Sequence, residues 1–309
     1  MPTALYTHKA CLLHENGPGH PESPDRLQSI LTELEKPDYA ALLRREPHAA
    51  ELSAVTRVHD RTYIDRLFAR MPHKGYAALD PDTSLSTYSG QAALCAAGAV
   101  IAAVDDVMAG HVENAFCAVR PPGHHAEYAS AMGFCLFNNI AIGAAHALTT
   151  HALKRVAIID FDVHHGNGTQ DWAATQPGVL FVSSHQLPLW PGSGRSDERG
   201  PHRNILNIPL PPGADGAYFR HAMRTQALPE IDRYAPEFLF ISAGFDAHRA
   251  DPLAQLQFSE EDFGWITVEL KRLAQKHCNG RIVSSLEGGY DLNALAKSAA
   301  AHIKALQEA

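Results

Sequence analysis

Asp160, Asp162 and His164 are residue types that bind a metal ion. They stand in the run Asp160-Phe161-Asp162-Val163-His164-His165-Gly166-Asn167. Side chains of an extended chain alternate faces with a period of two. The three would therefore project together, while Phe161 and Val163 pack the other way. Carboxylate and imidazole on one face make an oxygen/nitrogen site for a borderline metal ion. A third protein ligand must come from another loop. The best candidate is Asp251, in Arg249-Ala250-Asp251-Pro252-Leu253. Two carboxylates and one imidazole leave a coordination position open for water, as catalytic zinc requires. The plainer alternatives are a surface acidic loop with incidental histidines and, for Asp251 alone, a turn-forming aspartate.

His124 and His125 follow Pro121-Pro122-Gly123. Adjacent histidines do not comfortably share one metal, but they suit two different roles. One can take a proton from an activated water; the other can carry charge beside it. A carboxylate or amide behind each ring would set its tautomer and basicity, and Asp160 and Asn167 are available for that. Tyr290, in Glu287-Gly288-Gly289-Tyr290-Asp291-Leu292, offers a hydroxyl to a developing oxyanion. Its alternative is an ordinary core tyrosine. Phe134 after Gly133, and Trp190 before Pro191-Gly192, lie in glycine-containing loops and could line a channel for an aliphatic chain, or simply pack.

These residues need a frame. Apolar runs of strand length recur at Ala115–Val119, Val156–Ile159, Val179–Val182, Ile205–Ile208, Phe238–Ile241 and Ile282–Leu286. Helix-like segments separate them, among them Gln91–Met108, Asn139–Leu148 and Glu260–Gln275, with further helical stretches around Pro24–Leu34 and Thr62–Arg70. Strands alternating with helices predict an α/β fold with a mainly parallel sheet covered on both faces. The polar motifs follow directly on four of the runs. Ligands of open α/β sheets bind beyond the carboxyl ends of the strands, so four loops should converge on one edge.

Composition narrows the function. The 309 residues carry 26 Lys+Arg against 34 Asp+Glu, a net charge of −8, with 45% hydrophobic and 19% charged residues. This excludes a disordered chain and argues against a nucleic-acid binder, which needs a basic footprint. It favours a cationic ligand. No apolar run is expected to reach the ~20 residues of a membrane span, and the N-terminus meets polar residues too early for a signal peptide. Five scattered cysteines without a Cys-x-x-Cys pair fit a reduced, cytoplasmic protein in which all are structural. Among the 19 histidines, His8, His48, His73, His111, His151, His277 and His302 fall outside the motif loops and read as surface or capping residues. No repeat or linker divides the chain, which reads as one domain over 1–309. Its compactness suggests a bacterial source.

Taken together, the loops resemble the zinc-dependent histone deacetylase superfamily, including acetylpolyamine amidohydrolases and bacterial deacetylase-like amidohydrolases. The match runs from His20-Pro21-Glu22-Ser23-Pro24-Asp25-Arg26-Leu27 to Leu286-Glu287-Gly288-Gly289-Tyr290, and its RPPGHHA and LEGGY segments are similar to the class II branch. The resemblance implies a single-domain arginase/deacetylase-like fold with an eight-stranded, mainly parallel sheet. It implies zinc on Asp162, His164 and Asp251, His125 as general base, His124 as its electrostatic partner, and Tyr290 polarising the acyl carbonyl. Asp160 and Asn167 would support the two histidines, and Gly133, Phe134 and Trp190 would line the acyl-lysine tunnel. Arg26 matches a residue lining an internal exit channel. A structural potassium ion would use Asp160, Asp162, His164, Ser183 and Ser184. Asn167 stands where class I enzymes carry Asp, which makes His125 less basic. Trp190 replaces the usual Phe or Tyr.

The implied reaction is hydrolysis of an N-acyl, chiefly N-acetyl, amide on a lysine side chain or a polyamine, with neither nucleic acid nor membrane as partner. Two other readings compete: an arginase-like ureohydrolase with two manganese ions, and a non-catalytic acyl-group binding protein. The first lacks bridging carboxylates after Asp162-Val163-His164; the second has no need of base and phenol together. No Gly-x-Ser-x-Gly elbow supports a serine hydrolase.

Overall fold

The computed structural model describes residues 1–308. Ten strands follow in chain order: β1 (Thr3–Tyr6), β2 (Leu43–Arg45), β3 (Ala77–Ala78), β4 (Ser84–Leu85), β5 (Asn114–Cys117), β6 (Val156–Asp160), β7 (Val179–Gln186), β8 (Ile205–Leu210), β9 (Phe238–Ala243) and β10 (Ile282–Leu286). Eight form one sheet in the order β2-β1-β5-β10-β9-β6-β7-β8, every pair parallel. The remaining two, β3 and β4, make a small antiparallel hairpin. Each of the six expected runs is a strand. The first is shorter than read: pairing stops at Cys117, and Ala118-Val119 already enter the loop. Two short strands, β1 and β2, were not read from the sequence; β2 is three residues, Leu43-Arg44-Arg45, with two exposed arginines and no apolar run.

The helices are α1 (Pro24–Glu33), α2 (Leu52–Val55), α3 (Arg61–Ala69), α4 (Ser89–Met108), α5 (Asn139–Thr149), α6 (Asn167–Ala174), α7 (Gly216–Ala222), α8 (Leu228–Tyr234), α9 (Glu260–Cys278) and α10 (Leu292–Gln307). They cover both faces of the sheet. On one face, α10 presents His302 to Phe116 of β5 and to the Ser284 hydroxyl of β10. On the other, Phe240 of β9 meets α5 at Gly143. Parallel strands buried on both faces need near-continuous apolar sequence, and β5, β6 and β9 are buried throughout.

Local chemistry sets the helix starts. Asn138 accepts from the Ala141 N–H to cap α5, and Asp291 accepts from the Ala294 N–H to cap α10. Ser259 and Asp262 form a reciprocal capping box on α9.

Two sequence readings are corrected. The α4 helix is long and apolar enough to span a membrane by length and composition, although no such run was expected. It packs instead against α5 and the sheet, with most of its residues buried. His302 is no surface residue: it is fully buried and bridges the Thr267 and Ser284 hydroxyls at 2.6 and 2.8 Å.

Candidate active site

The four motif loops leave β5, β10, β9 and β6, which are consecutive neighbours in the middle of the sheet. Parallel strands end on the same side, so the loops meet above one edge. Phe161 turns away onto Phe245 and Phe263, which leaves Asp160 and Asp162 for the opposite side.

Asp162, His164 and Asp246 form the metal-like group, their ligand atoms all within 4.8 Å of one another. The His164 Nδ1 lies 3.2 Å from both Asp162 Oδ1 and Asp246 Oδ2. Asp251, the expected third ligand, is buried in the same loop as Asp246, five positions on, and its carboxylate accepts from the main-chain N–H groups of Leu253 and Tyr290 at 3.0 and 2.7 Å. Burial and the charge of nearby Asp246 raise its pKa to about 7.

The group suits a divalent ion. Both carboxylates are fully buried and held by main-chain donors: Asp162 by His164 and Gly288 N–H, Asp246 by Val163 N–H. A Cβ on Gly244 would strike the Asp162 carboxylate, and one on Gly288 would strike that of Asp246, so glycine is required for this close approach. Burial opposes charge on His164, yet Asp162 and Asp246 raise its pKa to about 10. Two anions facing one imidazole in a dry site call for a cation, and an O,O,N donor set fits zinc.

The histidine pair divides its labour by its partners. The rings of His124 and His125 lie 3.9 Å apart. His124 Nδ1 is 3.0 Å from Asp160 Oδ2, and its Nε2 is 3.7 Å from Asp162 Oδ2. Burial opposes its charge, but Asp162, Asp160 and Glu287 hold its pKa up at about 10. His125 Nδ1 lies 2.7 Å from Asn167 Oδ1. The Asn167 amide cannot be reversed, because its Nδ2 donates to Glu127 Oε1 at 2.8 Å. The amide oxygen can only accept, so His125 carries its proton on Nδ1 and keeps Nε2 as a lone pair. Burial, then the charges of His124 and His164, drive its pKa well below the usual value. The partners thus favour charge on His124 and disfavour it on His125.

Tyr290 lies in the loop after β10, its ring 6.0 Å from that of Phe134. Its main chain is tied to Asp251, and Arg26 lies 4.9 Å from the ring centroid, under its face. Burial raises the phenol well above its usual pKa, so it is a proton donor and not an anion. Arg26 is fully buried and donates to the carbonyls of Gly289 and Glu287 at 2.6 and 2.5 Å. It thus braces the tyrosine loop from below.

The residues expected to line a tunnel lie close to His125 and Tyr290. Met132-Gly133-Phe134-Cys135 is a tight turn with φ of 53° at Gly133 and 68° at Phe134, closed by Cys135 N–H to the Met132 carbonyl. A Cβ at Gly133 would overlap Trp190 and His125. The left-handed Phe134 is strained by about 1–2 kcal/mol, and the turn sets its ring 6.0 Å from that of Tyr290. Trp190, 42% exposed, lies 4.7 Å from the His125 ring and 6.1 Å from that of His164.

The potassium candidates are neighbours as well. Asp160 pairs in register with Ser183, whose hydroxyl is 2.9 Å from His185 Nδ1. Ser184, one residue on, faces the other side of β7, so only its main chain could join them.

Sequence reasoning missed Glu287 and the Glu22–Arg120 pair. Glu287, fully buried, accepts from the Gly123 and His124 N–H groups at 2.7 and 3.1 Å and fixes the histidine loop. Glu22 is gripped by both Arg120 and Arg26. Burial alone would raise its pKa, but Arg120 holds it well below the usual range. Both glutamates sat inside quoted motifs; Glu287 directly follows an apolar run, which was its available signal, whereas Glu22, between Pro21 and Ser23, gave none.

A parallel α/β sheet with a histidine pair, a phenol and a metal-like trio at its carboxyl edge defines a hydrolase-type site. The family model described as "Histone deacetylase domain" matches residues 20–306. The chain is 42% identical over 299 residues to the uncharacterized protein slr0245 of Synechocystis sp., covering 96% of each. It is 36% identical over 312 residues to the histone deacetylase-like amidohydrolase of Pseudomonas aeruginosa, covering 93% of this chain and 81% of that one. The crystal structure of the HDA15 HD domain superposes with a TM-score of 0.93 at 35% identity, covering 99% of this chain and 88% of the other. The chain belongs to the histone deacetylase family, and its activity is that of the family's amide-hydrolysing deacetylases.

Proposed function

We propose that the chain is a zinc-dependent deacetylase that releases acetate from an N-acetylated lysine side chain or an acetylpolyamine. The observation that carries this reading is the histidine pair with unlike partners, His124 on the Asp160 carboxylate and His125 on the Asn167 amide, beside Asp162 and His164. Zinc held by Asp162, His164 and Asp251 would supply Lewis acidity, polarising the acyl carbonyl and acidifying a water.

His125 Nε2 takes the water's proton, since Asn167 holds the other nitrogen protonated. The same proton then goes to the leaving amine. His124 keeps its charge throughout, because two carboxylates face it, and it steadies the oxyanion electrostatically. The Tyr290 hydroxyl donates to the carbonyl oxygen as negative charge develops there. Phe134 and Trp190 flank the aliphatic chain and exclude water from it. A potassium ion held by Asp160, Asp162, Ser183 and the main chain of His164 and Ser184 would stiffen the loop after β6. The net charge of −8 supports a cationic substrate.

The test is acetate release by the zinc-loaded protein, with acetyl-lysine peptides and acetylpolyamines measured side by side. Turnover of either class, lost on chelation and restored by zinc, is expected. No release from either, with stoichiometric zinc bound, overturns the reading.

A further inference from the structure

We propose that Asp105, His146 and His151 form a second, surface site for a divalent first-row transition ion, separate from the catalytic group. Their candidate ligand atoms lie within 4.8 Å of one another. A single oxygen, Asp105 Oδ1, stands 2.7 Å from the Nε2 of both His146 and His151. The three come from different supports. Asp105 is on α4, His146 is in the last turn of α5, and His151 lies just beyond that helix.

Convergence of two imidazole nitrogens and one carboxylate oxygen is a donor set for zinc, nickel, copper or cobalt rather than for calcium or magnesium. The second imidazole nitrogen of His146 is already provided for. Thr150 Oγ1 lies 3.2 Å from Nδ1 and can accept its N–H, which frees Nε2 to ligate. Arg57 also reaches that nitrogen, at 3.3 Å. Its guanidinium cannot accept, so in the metal-bound form it must turn aside, and its charge weakens the site.

The exposures suit an exchangeable ion. The side chains of His146, His151 and Asp105 are 11%, 23% and 50% exposed, and Asp105, His146 and Arg57 line a cleft of about 360 Å³. Three protein ligands with an open side leave room for water on the metal. Bound there, an ion would tie the end of α5 to α4.

The test is a count of zinc equivalents on the tag-free protein, stripped with chelator and titrated against a chromophoric competitor. Wild type is expected to bind two. His151→Ala and Asp105→Asn are expected to bind one and to release acetate at the wild-type rate; Asp251→Ala should keep only the surface equivalent. Cobalt substitution gives a second readout: the absorption of the surface ion should vanish in His151→Ala and Asp105→Asn and persist in Asp251→Ala. Arg57→Ala should tighten the surface equivalent, as removal of a neighbouring positive charge requires. A single equivalent in wild type overturns the proposal, as does a second equivalent that survives in His151→Ala. Neither outcome bears on the catalytic zinc.

Discussion

The two Asp–His clusters have almost the same composition and very different surroundings. Around Asp162, His164 and Asp246, main-chain N–H groups hold each carboxylate, and both aspartates are fully buried. Around Asp105, His146 and His151, one oxygen serves both imidazoles, and its carboxylate is half exposed. Burial removes the screening that makes charged groups indifferent to one another. The buried cluster therefore reaches its neighbours, raising His124, while the charge on His124 lowers His125. The surface cluster touches no catalytic group. Similar ligand chemistry can thus be wired into a reaction or left as a bystander, and the dielectric decides which.

The sharpest way to break this comparison is at the buried cluster. Asp251→Ala should lose the catalytic zinc and all measurable acetate release. Metal analysis of the variant checks this, and stoichiometric zinc retained there would show that Asp246 completes the group instead.

Next in size is Tyr290→Phe. Loss of one oxyanion donor costs about 10²–10³ in kcat, with both metal equivalents and the melting temperature unchanged. Near-wild-type turnover would sink the role given to the phenol.

The smallest effect sharpens the electrostatic point. Asn167→Asp places a carboxylate behind His125 and favours its protonated form. The base then loses its lone pair at a higher pH, so the acid limb of the kcat/KM profile should move up in pH. The burial that holds this pKa down remains, so the shift is partial. An unmoved limb would mean that His125 is not the group titrating there.

Much of this was legible in the chain. The six long strands announced themselves because a strand covered on both faces must be apolar throughout. The catalytic loops announced themselves because glycine, proline, histidine and aspartate cluster directly after those strands. Asp162, His164, His124, His125 and Tyr290 could all be named from such clusters. Pattern gave no sign of Asp246, which lies in the same loop as Asp251. Its closeness to Asp162 needs Gly244 and Gly288, where a Cβ would strike the two carboxylates. His302 failed for a similar reason, since a histidine on an amphipathic helix gives no sign of the Ser284 and Thr267 hydroxyls that await it.

The sequence by itself determined the parallel α/β class and the residue types of the site, because periodicity and local clustering are properties of neighbouring positions. Only the tertiary structure decided that Asp246 stands within reach of Asp162 and His164, that Glu287 holds the histidine loop, and that Asp105 meets His146 and His151 across two helices. Those outcomes depend on burial and on contacts between residues tens of positions apart, and neither is written in local spacing.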